Sequence, residues 1–209
     1  MPWYDTFAHV YDLSTERIYS SMRQAVFECL VKKDLPTVLD LACGTGQNFS
    51  HLQRHFANDT EILGVDYSAG MLAKAKTRVA RHGWTNVHLL QADARALDAE
   101  TINEKLGRSA VDCVICTLGF SALPDWQQVF ENTFELLNPG GQYLIIDVWA
   151  EQKVPQTYWV ELIARANLKR KVWEPLERSA DDYTFQILKG SVHIHGGRLF
   201  MATGFKPLA

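Results

Sequence analysis

A short apolar run, Thr37–Leu41 (TVLDL), leads straight into Ala42-Cys43-Gly44-Thr45-Gly46. A strand that enters a glycine-rich turn and then a helix lets a ligand come close to the backbone, because Gly44 and Gly46 carry no Cβ. The first turn of the following helix presents free N–H groups to an anion. Such a unit belongs to proteins in which parallel strands alternate with helices, so further strands and helices in alternation are expected along the chain.

The alternation continues. Glu61–Asp66 (EILGVD), Val87–Ala92 (VHLLQA), Val111–Thr117 (VDCVICT) and Gln142–Val148 (QYLIIDV) read as further buried strands. Helices are expected from the glycine turn to about Phe56, and over Ala69–His82 with Ser68 as N-cap and Gly83 as stop. Another opens near Pro124, with Val129, Phe130, Phe134 and Leu137 on one face, and Asn138-Pro139-Gly140-Gly141 predicts the turn that ends it. Beyond it, a helix over Gln156–Ala166 and β-rich stretches near Lys169–Trp173, Tyr183–Leu188 and Arg198–Thr203 are expected. Apolar strands alternating with amphipathic helices mean a parallel sheet covered on both faces, and the tail departs from the alternation toward an antiparallel pair.

At 209 residues the chain suits one domain. Tyr11, Ile18, Met22, Val26 and Leu30 recur at roughly helical spacing, so 1–34 reads as an N-terminal helical lid, 35–150 as a ligand-binding core and 151–209 as the part that completes sheet and pocket. The net charge of −3 argues against a nucleic-acid partner. Cys113 and Cys116 are three apart in a strand and point to opposite faces, which suits buried thiols rather than a metal clip or redox pair. No metal is expected, since His193 and His195 share a strand face but lack a third ligand. The opening MPWYDTFAHVYD has no signal-peptide pattern and no run suits a membrane span, so a cytoplasmic location is expected.

The glycine turn alone suits a nucleotide, a dinucleotide or S-adenosylmethionine. Two residues discriminate. A dinucleotide site wants a third glycine where this chain has Phe49, and Asp40 inside the first strand repels a pyrophosphate but suits an ammonium group. Asp66, ending the second strand, can accept from both ribose hydroxyls. Asp93 can accept from an adenine amine beside the small Ala94, or else caps a helix.

VLDLACGTG, GVDYSAGML, LLQADARAL, VDCVICTLGF and LLNPGGQYLIIDV together resemble the class I S-adenosylmethionine-dependent methyltransferases over residues 37–148. The flanks, Tyr4…Phe7-Ala8…Tyr11-Asp12 at one end and GGRLFMATGFKP at the other, resemble the ubiquinone/menaquinone C-methyltransferases and the bacterial phosphatidylethanolamine N-methyltransferases. The resemblance implies a Rossmann-like, doubly wound α/β fold with a mostly parallel seven-stranded sheet, helices on both faces and an antiparallel C-terminal strand. It implies S-adenosylmethionine as cofactor and S-adenosylhomocysteine as product. Gly44 and Gly46 would line the methionine part, Asp66 hold the ribose, Tyr67 and Met71 border the adenine and Asp93 and Ala94 contact its edge, with Asp40 and Ala42 as further cofactor-binding candidates. Thr117 and Leu118 would face the sulfonium, with Tyr11 and Arg23 closing from the lid.

Methyl transfer depends chiefly on placement, so no fixed catalytic set is required. Asp147 and His195 are the candidate proton acceptors. Phe120, Trp149, Tyr158, Trp159 and Trp173 are candidate walls for a small-molecule or lipid-like acceptor, and peripheral membrane contact is compatible with the sequence. Monomer and homodimer both remain open. The rival readings are a cofactor-binding partner protein without activity and an NAD(P)-dependent oxidoreductase.

Overall fold

The computed structural model describes Tyr19, Arg23, Leu30 and residues 35–57, 59–188 and 195–208. Seven strands form one sheet: β1 (Thr37–Leu41), β2 (Glu61–Asp66), β3 (Val87–Gln91), β4 (Val111–Thr117), β5 (Leu137–Trp149), β6 (Asp181–Ile187) and β7 (Arg198–Phe205). Their order is β3-β2-β1-β4-β5-β7-β6. β3, β2, β1, β4 and β5 pair in parallel, whereas β7 runs antiparallel between β5 and β6. This is the expected α/β architecture, with its antiparallel end. Most of the stretch assigned to the lid lies outside the described residues.

The central strands are apolar on both sides because both sides are covered. Val38, Cys113, Ile115, Leu144 and Ile146 join one core cluster, and Leu39, Leu41, Val114, Cys116 and Ile145 join the other. Cys113 and Cys116 therefore point to opposite faces as the spacing requires. The helices are α1 (Phe49–His55), α2 (Ala69–His82), α3 (Ala99–Leu106), α4 (Trp126–Glu135), α5 (Pro155–Ala164) and α6 (Glu174–Ser179). Ser68 caps α2 by accepting from the Met71 N–H at 3.1 Å, and Gly83 closes it in the left-handed conformation, φ 67°.

Two local expectations are corrected, and one helix is added. Asn138-Pro139-Gly140-Gly141 does not turn the chain away: it forms the first part of the thirteen-residue β5. The Gly140 N–H reaches the Lys206 carbonyl at 2.8 Å, and Lys206 returns a bond to the Gly141 carbonyl at 2.9 Å. The register of β4 and β5 shifts between Val111 and Cys113, so the glycines serve a bulge rather than a turn. Lys169–Trp173 is a series of turns, not a strand. Val172 is buried there, and the Arg170 guanidinium donates to the Ser121 and Leu123 carbonyls at 3.2 and 2.8 Å. The helix α3, capped by Asp98, was not expected at all.

Candidate active site

The carboxyl ends of the parallel strands open on a cavity of about 540 Å³. It lies where β2 and β4 diverge on either side of β1, the place at which doubly wound sheets bind ligands. Two strands enter it through strained backbone: Ala42, just past β1, has φ 52°, and Leu118, just past β4, has φ 57°. Both line the cavity. Gly44 also lines it with φ 56°, and a Cβ there would meet nothing within 4 Å, so this stretch of backbone is bare to a ligand.

Asp66 organises the polar end. One carboxylate oxygen accepts the Gly44 N–H at 2.8 Å and the other accepts the Ser68 N–H at 2.9 Å. The side chain thus ties the β1 turn to the start of α2. Tyr67 and Met71 stand beside it on the wall, the first exposed and the second buried. Asp93 and Ala94 form the adjoining wall. Asp93 also fills the helix-capping role: it accepts the Arg95 N–H at 3.0 Å and holds the Arg95 guanidinium at 2.6 Å. That hydrogen-bonded pairing pushes its carboxyl below the usual range. A ligand amine at Asp93 therefore shares an oxygen already paired with Arg95.

Asp147 and Thr117 lie on the wall at the ends of β5 and β4. Asp147 accepts the Ser121 N–H, the Ser121 hydroxyl and the Val148 N–H, all at 2.8 Å. Burial pushes its carboxyl up to about 6, while those hydrogen bonds oppose the rise. Leu118, Ala122, Leu123, Val160, Ile163 and Leu168 add an aliphatic part to the wall, with Tyr19 and Ser121 also on it.

Four expected site residues do not reach the wall. A Cβ on Gly46 would come 2.5 Å from the Phe49 ring, so this glycine faces Phe49 rather than the ligand space. Asp40 and Arg23 lie one layer below. Arg23 Nε donates to Asn48 Oδ1 at 3.1 Å, and Asn48 Nδ2 donates to Asp40 Oδ1 and Thr117 Oγ1, both at 2.9 Å. These two act on the wall through Asn48 and Thr117. His195 is buried, its imidazole held below its ordinary pKa by burial, and it packs against the Tyr19 ring at 5.0 Å. Tyr19 itself lines the cavity, so His195 stands one ring behind it. Tyr11 and His193 lie outside the described residues.

None of the expected aromatic walls lines the cavity. Phe120 is fully buried, Trp149 packs edge-on against Trp173, and Tyr158 and Trp159 are exposed. The wall that replaces them could not be found from motifs. Ala122, Leu123 and Leu168 look like core residues in sequence, although Tyr19 stands four before Arg23 and so shares its helical face.

The Asp40 side chain leads to a pH effect. Burial raises its carboxyl from 3.8 to about 7, and Oδ2 finds no hydrogen-bond partner among the described residues. Folding therefore takes up a proton between those values, and this site costs stability as pH rises through that window, by at most about 1.4 kcal/mol per unit. Asp40→Asn should gain stability relative to the parent from about pH 4 upward and level off above pH 7. Denaturant melts of both proteins across that range check it, and a pH-independent difference would contradict it.

A doubly wound sheet with a bare turn after β1 and a carboxylate ending β2 defines a nucleoside-cofactor protein of the Rossmann-like class. Within that class, the family model described as a methyltransferase domain matches residues 32–190, and the chain belongs to this family. It is 31% identical over 111 residues to a demethylmenaquinone methyltransferase of Lactococcus lactis, covering 53% of this chain and 41% of that protein. It is 24% identical over 178 residues to a ubiquinone/menaquinone biosynthesis C-methyltransferase, UbiE, of Cronobacter sakazakii, covering 85% and 60%. The chain thus spans from two fifths to three fifths of these relatives' lengths. The fold is shared with a geranyl diphosphate C-methyltransferase of Streptomyces coelicolor solved with S-adenosyl-L-homocysteine (TM-score 0.71, 14% identity, 91% of this chain and 80% of that one). The bare Gly44 backbone and the Asp66 carboxylate on the cavity wall suit an amino-acid end and a ribose, the two ends that S-adenosylmethionine would present.

Proposed function

We propose that this chain transfers the methyl group of S-adenosylmethionine to an apolar small molecule or lipid-like acceptor. The observation that carries the reading is the division of one cavity into two ends. Asp66 and bare Gly44 backbone form the polar end, whereas Leu118, Ala122, Leu123, Val160, Ile163 and Leu168 form an aliphatic one. The fold and the family support the polar end as the cofactor's place. Those six offer no hydrogen-bonding group, and although Ser121 and Tyr19 line the same cavity, the aliphatic share favours an acceptor recognised mainly by burial of apolar surface.

The bound cofactor supplies an electrophilic methyl group for in-line displacement. The protein's own residues place the partners. Asp66 fixes the β1 turn and the ribose edge through its two backbone bonds. Thr117 and Leu118 bring the end of β4 to the junction between the two ends, with the Leu118 N–H held by the Ile146 carbonyl at 2.7 Å. Asp147 fixes the loop through Ser121 and is the better placed of the two proton acceptors, because it reaches the wall and His195 does not. The aliphatic residues exclude water, which strengthens placement and protects the reacting centre.

Among the described residues no helix is long and apolar enough to cross a membrane. The free, buried thiols Cys43, Cys113 and Cys116 support a reducing, cytoplasmic setting.

Incubation of the protein with methyl-labelled S-adenosylmethionine and fractionated cell extract tests the proposal. Label should enter the organic-soluble fraction. Label confined to protein or nucleic acid, or no transfer from any fraction, would overturn it.

A further inference from the structure

The helix α5 has two uses for its apolar side chains. Val160, Ile163 and Ala164 face the cavity. Tyr158, Trp159, Leu162 and Ile163 form a second surface, exposed by 60%, 64%, 67% and 43%. Their spacing, in pairs four residues apart, puts them on one side of the helix over successive turns. Ile163 belongs to both sets, so the exposed stripe continues into the aliphatic end of the cavity.

Charge distinguishes what covers this stripe. Residues 151–171 carry Lys153, Arg165, Lys169, Arg170 and Lys171 against Glu151 and Glu161, a cationic excess in a chain whose net charge is −3. Arg170 is turned inward onto the Ser121 and Leu123 carbonyls, and Lys153 pairs with Glu161 while standing 5.4 Å from the Tyr158 ring centre. Arg165, Lys169 and Lys171 are exposed just beyond the end of α5, with Lys171 standing 3.5 Å from the Glu174 carboxylate, on the side away from α5 in sequence. An exposed Trp–Tyr pair, two aliphatic side chains and a cationic border match an anionic bilayer surface, where aromatic rings sit at the headgroups and Lys or Arg meet acidic lipid. A second copy of the chain fits less well. A stable protein interface engages about 20–30 residues a side, and this stripe offers four.

We propose that the α5 stripe docks this protein on the surface of an anionic membrane, with the aliphatic end of the cavity opening beside the bilayer. An apolar acceptor then passes from the lipid along Ile163 into the site. This delivery role rests on the methyl-transfer reading, whereas the docking itself is tested without it.

The test is co-sedimentation of the whole chain with vesicles of phosphatidylglycerol and phosphatidylcholine in equal parts, and of phosphatidylcholine alone. The parent protein should partition onto the mixed vesicles and much less onto the neutral ones. Trp159→Asp combined with Leu162→Asp should lower that partition at least about ten-fold. Neither residue is on the cavity wall, so S-adenosylhomocysteine binding and the melting temperature should stay unchanged. Absence of binding by the parent, or equal binding by parent and variant, would overturn the proposal. A parent dimer that the variant converts to monomer would overturn it too and assign the stripe to a second copy. Vesicle binding without S-adenosylhomocysteine binding would instead sink the methyl-transfer reading and leave the docking surface standing.

Discussion

Asp66→Ala weakens S-adenosylhomocysteine binding by roughly 10- to 150-fold, the equivalent of about 1.5–3 kcal/mol for a lost charge-assisted hydrogen-bond acceptor. Two effects act together. The ligand loses the carboxylate that holds its ribose, and the Gly44 and Ser68 N–H groups lose the acceptor that fixes the turn and the start of α2. The second effect places the loss toward the upper end of the range. Asp66→Asn separates them, since one amide oxygen can still accept one N–H while the amide NH₂ faces the other. Calorimetric titration of the three proteins checks the order parent, Asn, Ala. Affinity unchanged in the alanine variant would remove Asp66 from the site.

Gly64→Ala lowers stability by about 1–3 kcal/mol, a fall in Tm of roughly 2–12 °C for a chain of this size. Gly64 lies in the middle of β2, and an added methyl would stand 2.7 Å from Phe49 Cζ and 3.1 Å from Cys43 Sγ. The Phe49 ring is fully buried against both Gly64 and Gly46. Shortening it should make room, so Gly64→Ala with Phe49→Leu should be less destabilised than the two single changes summed. Thermal and denaturant melts of the four proteins give the coupling. Simple additivity would show that the ring and the glycine do not compete for the same space.

Phe49 shows how far sequence reasoning reaches. Its bulk in place of a third glycine argues against a dinucleotide, and the structure supplies the physical counterpart: the ring occupies the gap between α1 and the sheet that glycines at 46 and 64 leave open. β1, β2, β4 and β5 were legible because both of their faces are largely buried, the edge strand β3 from its apolar run, and the place of Asp66 at a strand end from the sequence alone. Asp40 was legible as an unusual acid within a strand, but its place was not. The Asn48 amide that holds it comes from the next helix, and nothing in the spacing shows that a side chain stands between Asp40 and the cavity. The acceptor end was the least legible. Its wall joins Leu118–Leu123 to Val160–Leu168, far apart in sequence and apolar like any core. The aromatic residues that seemed suited to it instead divide between core packing and the exposed face of α5. The proline-glycine-glycine stretch misled for a related reason: the same residues suit a turn and a bulge, and only pairing with Lys206 decides.

The central claim is that the cavity above β1, β2 and β4 is shaped for an adenosyl sulfonium compound. Titration of the parent protein with S-adenosylhomocysteine, set beside NAD, measures this most directly. Saturable one-to-one binding of the first, with no heat from the second at the same concentrations, is the predicted result. No binding of S-adenosylhomocysteine at millimolar levels, or tighter binding of NAD, would contradict it.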